Sequence, residues 1–465
     1  MKIFCEKLPY LIPEKFFYLI HDLPFSFYMD ILWNRNEKFT ICGFLPFIIF
    51  KSKNKNIEIK QGNKTKKIWG DSISQLQKVL NNFQFKSNLF FIPGGVGFLS
   101  YDLAWQIEKL PNLAKDDLLL PDILIGFYDS FLIFDHLRKE TNFIFYNSEK
   151  DIFFKIKFME KKKFIKSLLD KSYKLRFCNK KIFEIENLCS NMSVSKYISS
   201  IEKIKNYIKE GHVYQINFSH RFEIKGEFQP YDIFLKIKKV NPAPYSAYFN
   251  CGDFILISNS PELFLKKNGN KIITKPMKGT RKRVKSRNKE IENDLLTSEK
   301  DRAELIMIVD LERNDLGKIC EYGTVKVKKL INLEKYKTVY QTTSIIEGKL
   351  RENINFEDII KATFPGGSIT GAPKKRAMEI IEELEPTKRN FYTGSFGYFG
   401  FNGNLQLNIL IRSLVIKNNM IYYPVGGGIV WDSIPEKEYE ETIIKARNLF
   451  ITLGIKDEEV RNINI

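Results

Sequence analysis

Cysteine is scarce and unpaired in this chain of 465 residues. Its six cysteines (Cys5, Cys42, Cys178, Cys189, Cys251, Cys320) are scattered, with no CxxC pair. That spacing argues against a disulfide framework or a zinc site and fits reduced thiols. Long apolar runs are also lacking. The opening stretch MKIFCEKLPYLIPEKFFYLIHDLPFSF is broken by Pro9, Pro13 and Pro24 and scattered with charge, which leaves no signal peptide and no membrane span. The expected location is the cytoplasm, with no membrane partner. No internal repeat of the length found in solenoids or propellers is visible. Acidic residues are outnumbered, 55 against 74 Lys and Arg, for a net charge of +19. Such a balance can mark nucleic acid, an anionic surface or an anionic small substrate. Lys, Asn, Ile and Phe are crowded together, as an AT-rich coding sequence would supply, so the plainer reading is a solvated lysine-rich surface. A basic nucleic-acid-binding protein is the competing class. It requires steep salt dependence and indifference to the acidic residues named below, and no nucleic-acid partner is expected.

What is present suits a large globular core: 43% of the residues are hydrophobic. Apolar runs at 39–50 and 122–134 read as strands, and the charge-rich stretch 148–190 as a boundary or peripheral connection. Tyr197, Ile201, Ile204 and Ile208 have helical spacing, with Gly211 placed to end the helix. In HVYQINFSHRF the pattern turns to alternation, putting Gln215 and Asn217 on one strand face. Ser298 with Asp301, and Ser433 with Glu436, read as capping boxes for two later helices, the last beginning near Pro435 and ending before Gly454. The runs IITKPMKGT, GSFGYFGF, LQLNILIRSLVI and MIYYPVGGGIVW read as intervening strands. Irregular interleaving of strands and helices predicts an α+β fold, divided into an N-terminal region 1–190 and a catalytic region 191–465.

Several residues could carry chemistry. Lys278 closes a strand-like run inside KPMKGTRKR. Its amine becomes a nucleophile only when neutral, and the cations Arg281, Lys282 and Arg283 would favour that if the loop folds back; a lysine in a basic surface turn is the plain alternative. Glu262 in SNSPELF could protonate a departing hydroxyl if burial raised its pKa, although alone it is an ordinary glutamate after a proline. Glu304 lies inside an apolar helix, an unusual place for an unpartnered acid. Glu438 and Glu441 share a face of the last helix with Lys445 one turn on. Carboxylates from separate helices suit a hard cation such as Mg²⁺, and a solvent-exposed charge ladder is the alternative for 438–445. FPGGSITGAPKKR is not a Walker A loop and GGGIVWDS fails the dinucleotide pattern, so nucleotide binding is not expected. Arg412 could grip a carboxylate, or serve a structural ion pair.

In order along 191–455, the blocks GHVYQINFSHRF, NPAPYSAYF, SNSPELF, KPMKGTRKR, DRAELIMIVDLERNDLG, FPGGSITGAPKKRAMEII, GSFGYFGF, IRSL, GGGIVWDS and EETIIKA closely resemble the chorismate-utilising enzymes. PGGVGFLSYDLAWQIEKLP at 93–111 extends a weaker likeness toward the N-terminus. The resemblance implies stacked, largely antiparallel sheets surrounded by helices. It implies that Glu262 protonates the C4 hydroxyl of chorismate and that Glu304 and Glu441 hold Mg²⁺, with Glu438 in its outer shell. Tyr392, Arg412 and the backbone of Gly426 and Gly428 would take the enolpyruvyl carboxylate. Gln215, Thr280, Gln341 and Lys445 would complete the substrate wall.

Within that family, isochorismate and salicylate synthases carry a lysine base at the position of Gln215, and a glutamine cannot activate water in that way. Anthranilate synthases typically read Pro-Ile-Ala-Gly-Thr where this chain has PMKGT, whereas the aminodeoxychorismate-forming members place a lysine there, as Lys278 does. The resemblance therefore implies amination of chorismate at C4 through a covalent lysine adduct, with ammonia from a separate glutamine amidotransferase subunit. Formation of anthranilate and pyruvate is the alternative. Gln341 stands where a histidine is common in the family. Ser26 lies out of register with the serine that relatives use to build a regulatory tryptophan pocket.

Overall fold

Most strands of this chain bury both of their faces. In Phe27–Leu32 the side chains of Phe27, Met29 and Ile31 enter one apolar cluster and Tyr28 enters another. In Ile123–Phe127, Leu124 enters the first of these clusters while Ile123 and Ile125 point away from it into a third. Side chains alternate across a strand, so this burial requires a layer on each side of the sheet. The computed structural model describes residues 2–32, 37–87, 89, 91–147, 154–175, 183–336 and 339–461.

These residues form two sheets of twelve strands each, and every ladder is antiparallel. One apolar layer lies between the sheets. It draws Phe27, Met29, Ala247, Phe249 and Leu256 from the first sheet and Val96, Phe98, Leu124, Phe396 and Tyr398 from the second. The outer face of the first sheet is covered by the helices Pro13–Tyr18, Pro230–Val240 and Pro435–Leu453. The outer face of the second is covered by Ser72–Asn81, Glu299–Gly317 and Phe356–Thr363. The expected α+β architecture of stacked antiparallel sheets inside helices is therefore the one found. Strands from either side of residue 190 join the same sheets, Phe27–Leu32 pairing with Tyr245–Asn250 and Gly94–Leu99 with Ser395–Gly400.

Local expectations mostly stand. The helix Val194–Lys209 buries Tyr197, Ile201 and Ile204, and Gly211 follows it with a positive φ of 78°. Ser298 caps Glu299–Gly317 by accepting from the Asp301 backbone N–H. Ser433 does not cap the last helix. Ile434 occupies that position with Pro435 following, and the Ser433 hydroxyl donates to Glu438 Oε1 at 2.6 Å instead. Proline at the first helical position fixes φ for the helix start, and Ser433, one residue before the cap position, turns its hydroxyl to the carboxylate. Of the stretch 148–190, Phe154–Lys174 is a helix and Phe183–Ser190 an edge strand. Residues 148–153 and 176–182, Cys178 among them, lie outside the described residues. Cys5, Cys42, Cys189, Cys251 and Cys320 are free thiols. Among the described residues no helix is long and apolar enough to cross a membrane.

Candidate active site

The strand Met277–Lys282 runs beside Val339–Lys349, but the register slips between Lys278 and Thr280. Gly279 sits in that slip at φ 58°, where an added Cβ would meet Leu295 Cδ1 and Thr342 Oγ1 at 2.9 Å each. A glycine bulge of this kind re-aims the neighbouring side chain. Thr342 Oγ1 ties the bulge down by donating to the Lys278 carbonyl at 2.6 Å. The Lys278 side chain is 12% exposed, with its amine 3.9 Å from Glu304 Oε2. Burial pulls the amine below the ordinary lysine pKa and Lys445 adds to the effect, while Glu304 and Glu262 oppose it. The basic neighbours are not the cause that their sequence position suggested. Arg281 is engaged by Asp294 and Asp301 at 2.8 and 2.9 Å, and Arg283 donates to the Tyr336 carbonyl.

Glu262, 4% exposed, lies just before the strand Leu263–Asn268. Burial pushes its pKa to about 7, against the hydrogen bond from Ser368, the positive charge of Lys278 and a hydrogen bond from the Met277 backbone. Ser368 Oγ donates to Glu262 Oε1 at 2.6 Å, and the Ser368 carbonyl accepts from Asn217 Nδ2 at 3.0 Å. The sequence shows the glycine-rich run around Ser368 and puts Asn217 on the strand face of Gln215. Nothing local showed that the two meet behind Glu262.

Gln215 is fully buried, and neither its amide oxygen nor its nitrogen has a hydrogen-bond partner. Orphaned buried polar atoms cost about 1–3 kcal/mol each, so a native protein retains them where something else completes them. A Cβ on Gly428 would stand 2.1 Å from Gln215 Nε2 and 3.4 Å from Lys278 Nζ. The missing side chain therefore lets the Gln215 amide lie directly against the strand backbone, beside the Lys278 amine. Gln341 donates to Thr280 Oγ1 at 3.2 Å, and its own carbonyl oxygen is likewise unpartnered.

The acids converge on the neighbouring glycine. A Cβ on Gly427 would lie 3.4 Å from Lys445 Nζ, 3.5 Å from Glu438 Oε2 and 3.6 Å from Glu441 Oε1. Lys445 bridges Glu441 at 2.6 Å and the Gly426 carbonyl at 2.8 Å, and it holds Glu441 below the ordinary carboxylate range. Burial raises Glu304 and Glu438, and the charge of Glu441 raises both further. Among the described residues no three His, Cys, Asp or Glu side chains gather closely enough to ligate a metal by themselves. Mutually repelling carboxylates nevertheless match a hard cation that takes one or two protein oxygens and fills the rest of its shell from substrate and water.

Tyr392 is 6% exposed, with the Arg389 guanidinium 5.8 Å from its ring. Arg389 went unremarked in the sequence. It is buried, paired in a fork with Glu385 at 2.7 and 2.9 Å, and it donates to the Asn217 and Ile369 carbonyls. Glu385 also accepts from the backbone N–H and hydroxyl of Ser219. The pair thus ties the strand of Gln215 to the turn carrying Tyr392. Arg412 sits at φ 53°, donates to the Lys445 carbonyl at 3.3 Å, and is near enough to Tyr392 to oppose the rise in its pKa.

The model of the chorismate binding enzyme family matches residues 29–450. Aminodeoxychorismate synthase component 1 of Bacillus subtilis (strain 168) is 37% identical over 437 residues, covering 92% of either chain. Anthranilate synthase component 1 of Acetivibrio thermocellus is 35% identical over 430 residues, 89% of this chain and 86% of that one. The crystal structure of anthranilate synthase component I from Streptococcus pneumoniae TIGR4 superimposes with a TM-score of 0.79 at 30% identity, covering 90% and 93% of the two chains. With Gln215, Lys278, Glu438 and Glu441 bordering one glycine strand, Glu304 beside Lys278, and the family match running over residues 29–450, the chain belongs to the chorismate binding enzymes.

Proposed function

We propose that this enzyme aminates chorismate at C4 to give 4-amino-4-deoxychorismate, the precursor of para-aminobenzoate and folate. The observation that carries the reading is Lys278: a buried amine with a depressed pKa, beside a buried acid. In this reading the neutral Lys278 amine adds to C2, both ring double bonds shift, and the C4 hydroxyl leaves as water with the proton of Glu262. Ammonia then adds at C4, the lysine amine is expelled, and the surplus proton returns to Glu262. The enolpyruvyl group is retained, and chorismate plus ammonia becomes product plus water.

Tyr392, Arg412 and the backbone of Gly426 and Gly428 would receive the enolpyruvyl carboxylate, with Thr280, Gln341 and Lys445 along the wall. A Mg²⁺ ion held by Glu304 and Glu441, with Glu438 behind, would supply counter-charge for the ring carboxylate. Gln215 offers a polar amide and no base, which suits ammonia as the nucleophile. Ammonia would come from a glutamine amidotransferase subunit; the relatives' designation as component 1 supports such a partner.

Incubation with chorismate, Mg²⁺ and ammonium at mildly alkaline pH is expected to yield a non-aromatic aminated product by mass spectrometry. Fluorescent anthranilate in its place would replace this reading with anthranilate synthesis. Ser368→Ala is expected to raise the Glu262 pKa further, because the lost hydrogen bond favours the carboxylate, and to slow turnover by roughly tenfold as the acid loses its orientation. Chorismate consumption followed across pH checks both effects.

A further inference from the structure

Glu312 is a buried acid to which neither the fold nor the reaction above gives a task. It lies about two turns beyond Glu304 on the helix Glu299–Gly317 and is 6% exposed. Its Oε2 accepts from Thr274 Oγ1 at 2.7 Å. Two routes join it to Glu262. Thr274 precedes Lys275, which pairs across the sheet with Leu263, the residue after Glu262. On the other side, Leu311 packs against the turn Gly367–Ile369, leaving only 2.6 Å between its Cδ2 and a Cβ placed on Gly367. Ser368 of that turn donates to Glu262.

We propose that Glu312 is a positioning residue for the general acid, a second buried carboxyl that keeps a proton on Glu262 as the medium turns alkaline. The inference rests on the reading of Glu262 as the proton donor. Lys278 and ammonia react only when neutral, which alkaline conditions favour, whereas Glu262 reacts only when protonated. A second acid close behind eases that conflict, because once one of two adjacent carboxyls is ionised the other holds its proton more tightly.

The groups facing this pair are Thr274 and the ion pair of Asp315 with Lys374 around Glu312, and Ser368, Lys278 and Tyr336 around Glu262. Burial raises the Glu312 pKa to about 8 with Glu262 and Asp315 adding to the rise, while Thr274 and Lys374 oppose it. Like charges oppose one another in both directions, so an ionised Glu312 disfavours ionisation of Glu262.

The test compares the wild type with Glu312→Gln for kcat/KM of chorismate consumption between pH 6.5 and 9, with free ammonia held constant and products identified by mass spectrometry. The two are expected to coincide at pH 6.5 and to diverge at pH 9, the variant slower by roughly threefold or more because Glu262 ionises more readily without the second charge. A ratio that stays constant with pH, whether unity or a uniform loss, overturns the proposal. Should Glu312→Gln fail to fold, Glu312→Met carries the same expectation, with similar volume and no titration. Absence of an aminated product from the wild type counts against amination itself, while the pH dependence of chorismate consumption still decides the role of Glu312.

Discussion

Lys278→Ala is expected to lower kcat/KM for amination by on the order of a thousandfold, about 4 kcal/mol of barrier, and to abolish the covalent adduct in the intact-protein mass. The fold should survive. The Lys278 backbone is held by the bulge at Gly279 and by the Thr342 hydroxyl, neither of which uses the side chain. Lys278→Arg separates two explanations. An arginine restores the positive charge beside Glu304 but stays protonated and cannot attack carbon. If Lys278 is the nucleophile, the arginine variant is as inactive as the alanine variant. Recovery of substantial activity with arginine, or full activity with alanine, would sink the covalent route and leave Lys278 as an anion-holding group.

Glu262→Gln is expected to move activity and stability in opposite directions. Loss of a positioned general acid costs roughly 10²- to 10⁴-fold in turnover, because hydroxide is a poor leaving group. Folding stability should rise. The folded pKa of about 7 lies above the ordinary value of 4.5, so the folded state binds this proton more tightly than the unfolded chain does. That contribution is fully present below about pH 4.5 and is lost as pH rises through 7, to the extent of on the order of 3 kcal/mol. The neutral amide does not pay this penalty. The variant should therefore unfold at higher denaturant concentration than the wild type at pH 8, with the difference closing as pH falls below about 4.5. Equal stability of the two proteins at pH 8 would show that Glu262 is not held protonated by burial.

The chemistry-bearing side chains were legible because each stands in a segment whose local pattern is strong. Lys278 ends an apolar strand run, Gln215 and Asn217 alternate with Val213, Ile216 and Phe218, and Glu438, Glu441 and Lys445 share a helical face. Local pattern misled where a tertiary partner intervened. Ser433 has the residue type and position of a cap, yet a buried glutamate takes its hydroxyl. Arg281 and Arg283 seemed suited to depress Lys278, yet each found an oxygen elsewhere and burial does the work instead.

The amino-acid sequence by itself determined the strand and helix types, the α+β class, the identity of the amine, the acid and the carboxylates, and the order of blocks that places the chain among the chorismate binding enzymes. Only the tertiary structure decided that Ser368 orients Glu262, that Gly428 lets the Gln215 amide lie against the strand beside Lys278, that Arg389 and Glu385 tie that strand to Tyr392, and that Thr274 holds the buried Glu312. The physical reason is one of range. Propensity and periodicity act over a few residues, whereas these contacts join segments tens to hundreds of positions apart, and their distances are set by the register of two long sheets and by the helices packed on them.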